Sequence, residues 1–262
     1  VFPVYIGHSV EFSIFNQFNA LPAVPPLACS SRWFACNEQE KNMKTDATHL
    51  DIAALVGPDD WACLAPDIRR RFSPDHAPAV YRGALTVRRS AIGRLYARIA
   101  AVVGRPLPLC AGDDIETEVR VFPDGAGGVV WERWLFRPGH PASCVRSTKA
   151  IGRNGRLEER TDRGLVMALE VFVHHGALVF QSRGYSIQIF GNLRLPIPAL
   201  LGPGQCRVTH EGLSPKIFRF TLEMRHRLWG RTFYQRGMFL DPPDPSATPS
   251  AVFEASPQVA RP

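Results

Sequence analysis

"IFRFTLEMRH", residues 217–226, decides the fold class: Phe218, Phe220, Leu222 and Met224 alternate with Arg219, Thr221, Glu223 and Arg225. A period of two puts one set on each face of an extended strand, one apolar and one polar. Such a strand covers a core on one side and meets water on the other. Working outward, "CRVTHEGL" (206–213) and "RTFYQRGMFL" (231–240) flank it across short turns. Upstream, strand-like runs recur at 80–88, 115–122, 129–136, 143–151, 156–161, 165–174 and 177–190, with "DGAGG" (124–128), "RNG" (153–155) and "HHG" (174–176) as turn signals. Strands joined by such short connections pair antiparallel, and a sheet of about ten strands must twist, curl or close.

The chain therefore reads as mainly β (α+β): a curled antiparallel sheet or barrel of about nine to ten strands, with two N-terminal helices against one face or plugging one end. One helix is "DDWACLAPDIRRRF" (59–72). The other is "SAIGRLYARIAAVVGRPLP" (90–108), with Ser90 as N-cap, Ile92, Leu95, Ile99 and Val102 at helical spacing, and Gly104 and Pro106 as stops. The single β-rich domain spans residues 58–240. Residues 1–57 read as a poorly ordered extension, or as one preceding a true start near Met43; residues 241–262, rich in proline and serine, read as a disordered tail.

Charge is uneven. The chain carries +7 formally, yet residues 1–59 hold six acidic groups against three basic, so the rest carries +10. A basic domain attracts anions at long range, but no run of five basic residues and no RNA-binding aromatic motif is present, which argues against a nucleic acid partner. The six cysteines show neither a CxxC pair nor framework spacing, so reduced thiols in a cytoplasmic protein are expected. No apolar run reaches the roughly 18 residues of a membrane span. There is no GxGxxG after a strand, no GxSxG and no HxxxH, so no catalytic residue, metal site or cofactor is assigned.

The candidate site grows out of "VVWERWLF" (129–136), which carries a Glu-Arg pair inside an apolar strand. Alternation places Arg133 with Trp131 and Leu135, and Glu132 with Val130, Trp134 and Phe136. One of the two charges is then surrounded by apolar groups and needs a partner. Glu170, between Ala168 and Phe172, and Arg236, between Tyr234 and Met238, sit in the same way on other strands. Two readings follow: an internal Arg-Glu bridge or an arginine stem lying over tryptophan, or a cavity in which Trp131, Arg133, Glu170, Tyr234 and Arg236 hold an anionic or amphipathic ligand. The loop "GNLRLPIPALLGPG" (191–204) also reads in two ways. Either its Leu195, Ile197, Leu200 and Leu201 cap the core, or they form an apolar lip at a barrel mouth.

Several stretches together resemble a known family. They are "YRG" (81–83), the helix into "GRPLP", "WERWLF" with Ser143 after it, "GRLEER" (155–160), "LPIPALLGPG" (195–204) and "FRF" (218–220). From about Ile68 to Leu240 the chain is similar to the bacterial family catalogued as domain of unknown function 4166. The resemblance implies no activity. It does imply a second role, because some relatives look like attachments to Rossmann-type dehydrogenase-like proteins: an interaction or regulatory module for a reductase-like partner. The leading expectation is a non-catalytic domain that binds a small amphipathic or anionic molecule, with an enzyme of unknown reaction as the remaining alternative.

Overall fold

The computed structural model of the chain describes residues 50–74, 78–152, 154–189 and 193–242. Most of the expected N-terminal extension and nearly all of the expected tail lie outside the described residues. The described fold reaches further back than residue 58: Leu50 and Ile52 are buried in the core, and the Leu50 N–H donates to the Gly127 carbonyl at 2.9 Å.

Three short helices come first, α1 (Ile52–Val56), α2 (Pro58–Ala62) and α3 (Pro66–Arg71). A proline opens both α2 and α3, where its missing N–H costs nothing. The residue before a proline is pushed out of helical backbone. Gly57 and Ala65, both extended in ψ, accordingly break the run into separate turns. Strand β1 (Ala79–Arg89) leads into α4 (Ala91–Ala100), continued by a 3₁₀ turn (Ala101–Val103). Then follow β2 (Gly112–Pro123), β3 (Val129–Phe136), β4 (Ser143–Ile151), β5 (Leu157–Arg160), β6 (Leu165–His174), β7 (Ala177–Gln188), β8 (Arg194–Ile197), β9 (Gln205–Ser214), β10 (Ile217–His226) and β11 (Gly230–Leu240).

The ten strands read from the sequence are all present, and they close. In order they run β6-β5-β4-β3-β2-β1-β11-β10-β9-β7, and β7 pairs with β6 as well as β9. All the pairings are antiparallel, so this is a closed ten-stranded barrel, which removes the exposed edges an open sheet would carry. The eleventh strand, β8, lies inside the proline-rich loop and pairs with β7 at Tyr185–Gln188. It is found there because β7 leaves β9 after Gln181, where a bulge at Arg183 shifts its register against β6. Two side-chain bonds bridge the seam in place of ladder bonds: Cys206 N–H to Ser182 Oγ at 2.8 Å, and Tyr185 O–H to the Gly204 carbonyl at 2.9 Å.

The helices are divided between the two ends. The first three close one end, where the β2–β3, β6–β7 and β9–β10 turns lie; the Lys216 N–H in the last of these donates to Asp67 at 3.1 Å. Helix α4 covers part of the other end. Its cap is as expected, with Ser90 Oγ accepting from Gly93 N–H at 3.0 Å, but its buried face is not. Gly93 and Ala97 turn inward while Leu95, Ile99 and Val102 are exposed. Close approach explains this: a Cβ at Gly93 would overlap the Thr232 carbonyl of β11, so the helix sits on the barrel by its smallest side chains.

Candidate functional site

Register fixes which face of each strand looks inward. Arg133 lies opposite buried Val119 on β2 and buried Val145 on β4, and Trp131 opposite buried Val121 and Ser147. Trp131, Arg133 and Leu135 therefore face the interior. Glu132 faces out, 3.6 Å from Arg146 and accepting from the Trp134 indole N–H at 3.4 Å. The other three residues read as a site are not brought there. Glu170 is on the outer surface, paired with Arg183. Arg236 is exposed on the outside of β11, and Tyr234, also outward, lies under the Arg231 guanidinium at 4.9 Å. The Arg133–Glu170 pairing is corrected accordingly: β6 is apolar on both faces, and the face carrying Glu170 is the outer one.

The interior holds a cavity of about 200 Å³. The end of α3 packs behind three of its lining residues, Trp131, His210 and Phe218. Phe72 stacks on Trp131 at 5.7 Å and meets the His210 ring edge-on at 4.9 Å. Beside it Arg71 pairs with Asp241 and lies 3.3 Å over the Phe218 ring. Most of the remaining lining is apolar, from residues such as Leu85, Met167, Phe220 and Leu222.

Polar groups are concentrated on one wall. Lys149 Nζ lies 3.1 Å from Glu159, and Ser147 O–H donates to the other Glu159 oxygen at 2.6 Å. Burial pushes the Glu159 carboxyl up, but Lys149, then Arg133 and the hydrogen bonds from Ser147 and Lys149, outweigh it and hold the group below the usual carboxylate range. Arg133 lines the same cavity. No carboxylate among the described residues lies within 4 Å of it, and its buried Nε has no hydrogen-bond partner there. Alternation brings Lys149, Ser147 and Glu159 inward as it does Arg133, but their strands lack the apolar run that singles out Arg133 in the sequence.

His210 is also interior, in contact with the rings of Phe72, Phe180, Phe218 and Phe220, while neighbouring Glu211 faces out to Arg219 at 3.0 Å. Burial lowers its pKa well below the ordinary value, and the cations Arg71, Lys149 and Arg133 lower it further. The folded protein thus holds a neutral imidazole while the unfolded chain takes up a proton below about pH 6.5. Stability from this residue is complete above that pH and is lost on acidification. Between pH 7.5 and 5.5 the protein is expected to lose about 1.4 kcal/mol more than His210→Phe in urea unfolding. Equal losses in the two proteins would mean that His210 is not held neutral.

The thiol that lines the cavity is not activated: burial, with Glu159 adding to it, pushes Cys206 up to about 12. On the outer face, opposite Trp134, burial with Glu132 adding to it pushes Cys144 up to about 11. Burial also raises Tyr185 far above its ordinary range. Among the described residues no three His, Cys, Asp or Glu side chains are grouped to hold a metal ion. Comparison with known families gives a match over residues 64–239 to the model described as Domain of unknown function (DUF4166). No curated protein and no solved structure matches the chain.

Proposed function

The chain belongs to the DUF4166 family, whose description assigns no activity, and from the barrel itself we propose that it binds a small amphipathic anion in its interior without transforming it. One observation carries the reading. The polar wall holds two cations, Arg133 and Lys149, against one carboxylate, Glu159; among the described residues the lysine is the one paired with it, and the arginine has no carboxylate within 4 Å. A largely enclosed charge needs a partner or water. A carboxylate or phosphate supplies both lone-pair directions that a guanidinium fork addresses. The apolar lining suits the rest of such a ligand, and Trp131 beside Arg133 offers a flat surface to it. A water-sized group occupies roughly 10–15 Å³ by this measure, so the cavity suits a ligand on the order of fifteen non-hydrogen atoms. High thiol and phenol pKa values support binding over catalysis by Cys206 or Tyr185, since burial keeps both protonated.

Dodecanoate and dodecanol test this, because they share a chain and differ in charge. With protein stripped of bound lipid, dodecanoate should bind about 10- to 100-fold more tightly, the equivalent of one charge-assisted hydrogen-bonded contact. Arg133→Gln should bring dodecanoate down to the level of the alcohol and leave the alcohol unchanged. Calorimetric titrations in which neither probe binds, or in which charge makes no difference, would overturn the reading.

A further inference from the structure

The end of the barrel opposite the helical floor has a surface that the interior site does not explain. Four pieces of chain meet there: α4 with its 3₁₀ turn, the Thr161–Gly164 turn, β8 with the Pro198–Gly204 loop, and the β10–β11 turn. They are tied together by hydrogen bonds. Thr161 O–H donates to the Val103 carbonyl at 2.7 Å, Thr232 O–H to the Pro203 carbonyl at 2.8 Å, and His226 Nε2 lies 3.3 Å from the Leu200 carbonyl. On this frame Val102, Leu201, Leu228, Leu200, Ile99 and Trp229 are exposed by 71, 69, 65, 62, 58 and 52%. Single exposed leucines are ordinary, but a set of large apolar side chains around one opening is an interaction surface. Ile99 and Leu201 also line the cavity, so the patch is continuous with its mouth.

Charge is distributed in the same sense. The connecting segments at this end, residues 90–111, 137–142, 161–164, 193–204 and 227–229, contain seven arginines and one aspartate, Asp162. One of the arginines, Arg194, is held by Glu158 at 2.6 Å. At the opposite end, residues 50–74, 124–128, 154–156, 175–176, 215–216 and 241 contain six acidic and five basic residues. Of the two ends as described, the mouth is the basic one.

We propose that the mouth docks on an anionic lipid bilayer, its leucines and Trp229 entering the headgroup layer and its arginines meeting lipid phosphates. An apolar centre with tryptophan and a cationic surround is the combination that interfacial binding uses. Two copies meeting mouth to mouth would oppose their arginines, which disfavours that occupant. No helix among the described residues is long and apolar enough to cross a membrane, and the docking calls on none: it uses side chains of turns and of one short helix. A docked mouth would put the cavity directly over the acyl layer. The docking does not require the interior ligand.

Flotation of the full chain with vesicles tests it, using phosphatidylcholine alone and phosphatidylcholine with about one-third phosphatidylglycerol. Binding to the anionic vesicles should be at least about tenfold stronger and should fall as salt shortens the screening length from about 10 Å to about 3 Å. Brominated acyl chains should quench the wild type more than Trp229→Phe. Leu200→Asp with Leu228→Asp, neither of which lines the cavity, and separately Arg98→Glu with Arg227→Glu, should each abolish flotation while leaving dodecanoate titration intact. Arg133→Gln should float as the wild type does, so failure of docking and failure of the interior site are distinguishable. Absence of flotation with both vesicle types overturns the proposal. So does a dimer in sedimentation that Leu200→Asp dissociates and vesicles do not.

Discussion

Alanine at Arg71 is expected to cost the protein about 3–5 kcal/mol in urea unfolding, the range for breaking a buried ion pair by removing one partner. The side chains of Arg71 and Asp241 are exposed by only 1% and 2%. They join α3 to the residue that follows β11, so a single contact fastens the N-terminal helical floor to the last strand of the barrel. The guanidinium also lies over Phe218 and 5.1 Å from the centre of the Tyr81 ring. Burial pushes the Tyr81 phenol up to about 12 in spite of the arginine's opposing pull, which marks how far this end is shielded from water. Without Arg71 the Asp241 carboxylate is left among those rings. The pair itself is incompletely satisfied, since Arg71 Nε and Nη1 and Asp241 Oδ2 have no hydrogen-bond partners among the described residues. Arg71→Met with Asp241→Leu should therefore recover most of the loss, as apolar replacement of buried pairs often does. A single Arg71→Ala protein within about 1 kcal/mol of wild type would show that the floor is held by packing alone.

Much of this architecture was legible because a strand with one wet face announces itself. Residues 218–225 alternate without exception, and register confirms the inward set from Phe218 to Met224. Closure was not legible, since it depends on β7 pairing with β6 along its whole length while exchanging β9 for β8 partway. Nothing local encodes that exchange. Strand β8 was hidden by Pro196 and Pro198, which favour a loop reading, yet an edge strand can carry a proline where no ladder bond is needed. The loop's leucines went the other way from the capping reading: Leu195, Leu200 and Leu201 are exposed, and the apolar-lip alternative fits them. Helix α4 misled for a related reason. Apolar spacing marks an amphipathic face but does not say whether the chain's own core covers it. Of the five residues read as a candidate site, Trp131 and Arg133 face the cavity together because alternation ties them to one face, while Glu170 comes from a strand apolar on both faces and lies outside. Glu159, two strands from Arg133, was one of two adjacent glutamates in a short run, and only the sheet order separates its face from that of Glu158.

Glu159→Gln and Lys149→Met should move ligand affinity in opposite directions, and that is the sharpest expectation for the polar wall. With Glu159 neutral, Arg133 and Lys149 face the cavity as two cations without a carboxylate. The empty protein should lose about 3 kcal/mol, the lower end of the range for a broken buried pair, because both partners retain some contact with the cavity. That loss should shrink as pH falls through the native Glu159 pKa. A carboxyl held low in the folded state contributes its stability above the unfolded value of about 4.5 and loses it on acidification. Dodecanoate should then bind Glu159→Gln at least about tenfold more tightly than wild type, since one anion now relieves two cations. Lys149→Met does the reverse. It leaves Arg133 facing Glu159 with no surplus charge, and a second carboxylate becomes unwelcome, so affinity should fall by about tenfold or more. A merely structural pair would weaken binding in both variants through loss of shape. Opposed shifts in the two titrations, set beside unfolding curves that both show destabilisation, would separate an electrostatic site from a structural bridge; shifts of the same sign would remove the anion from the account of this barrel.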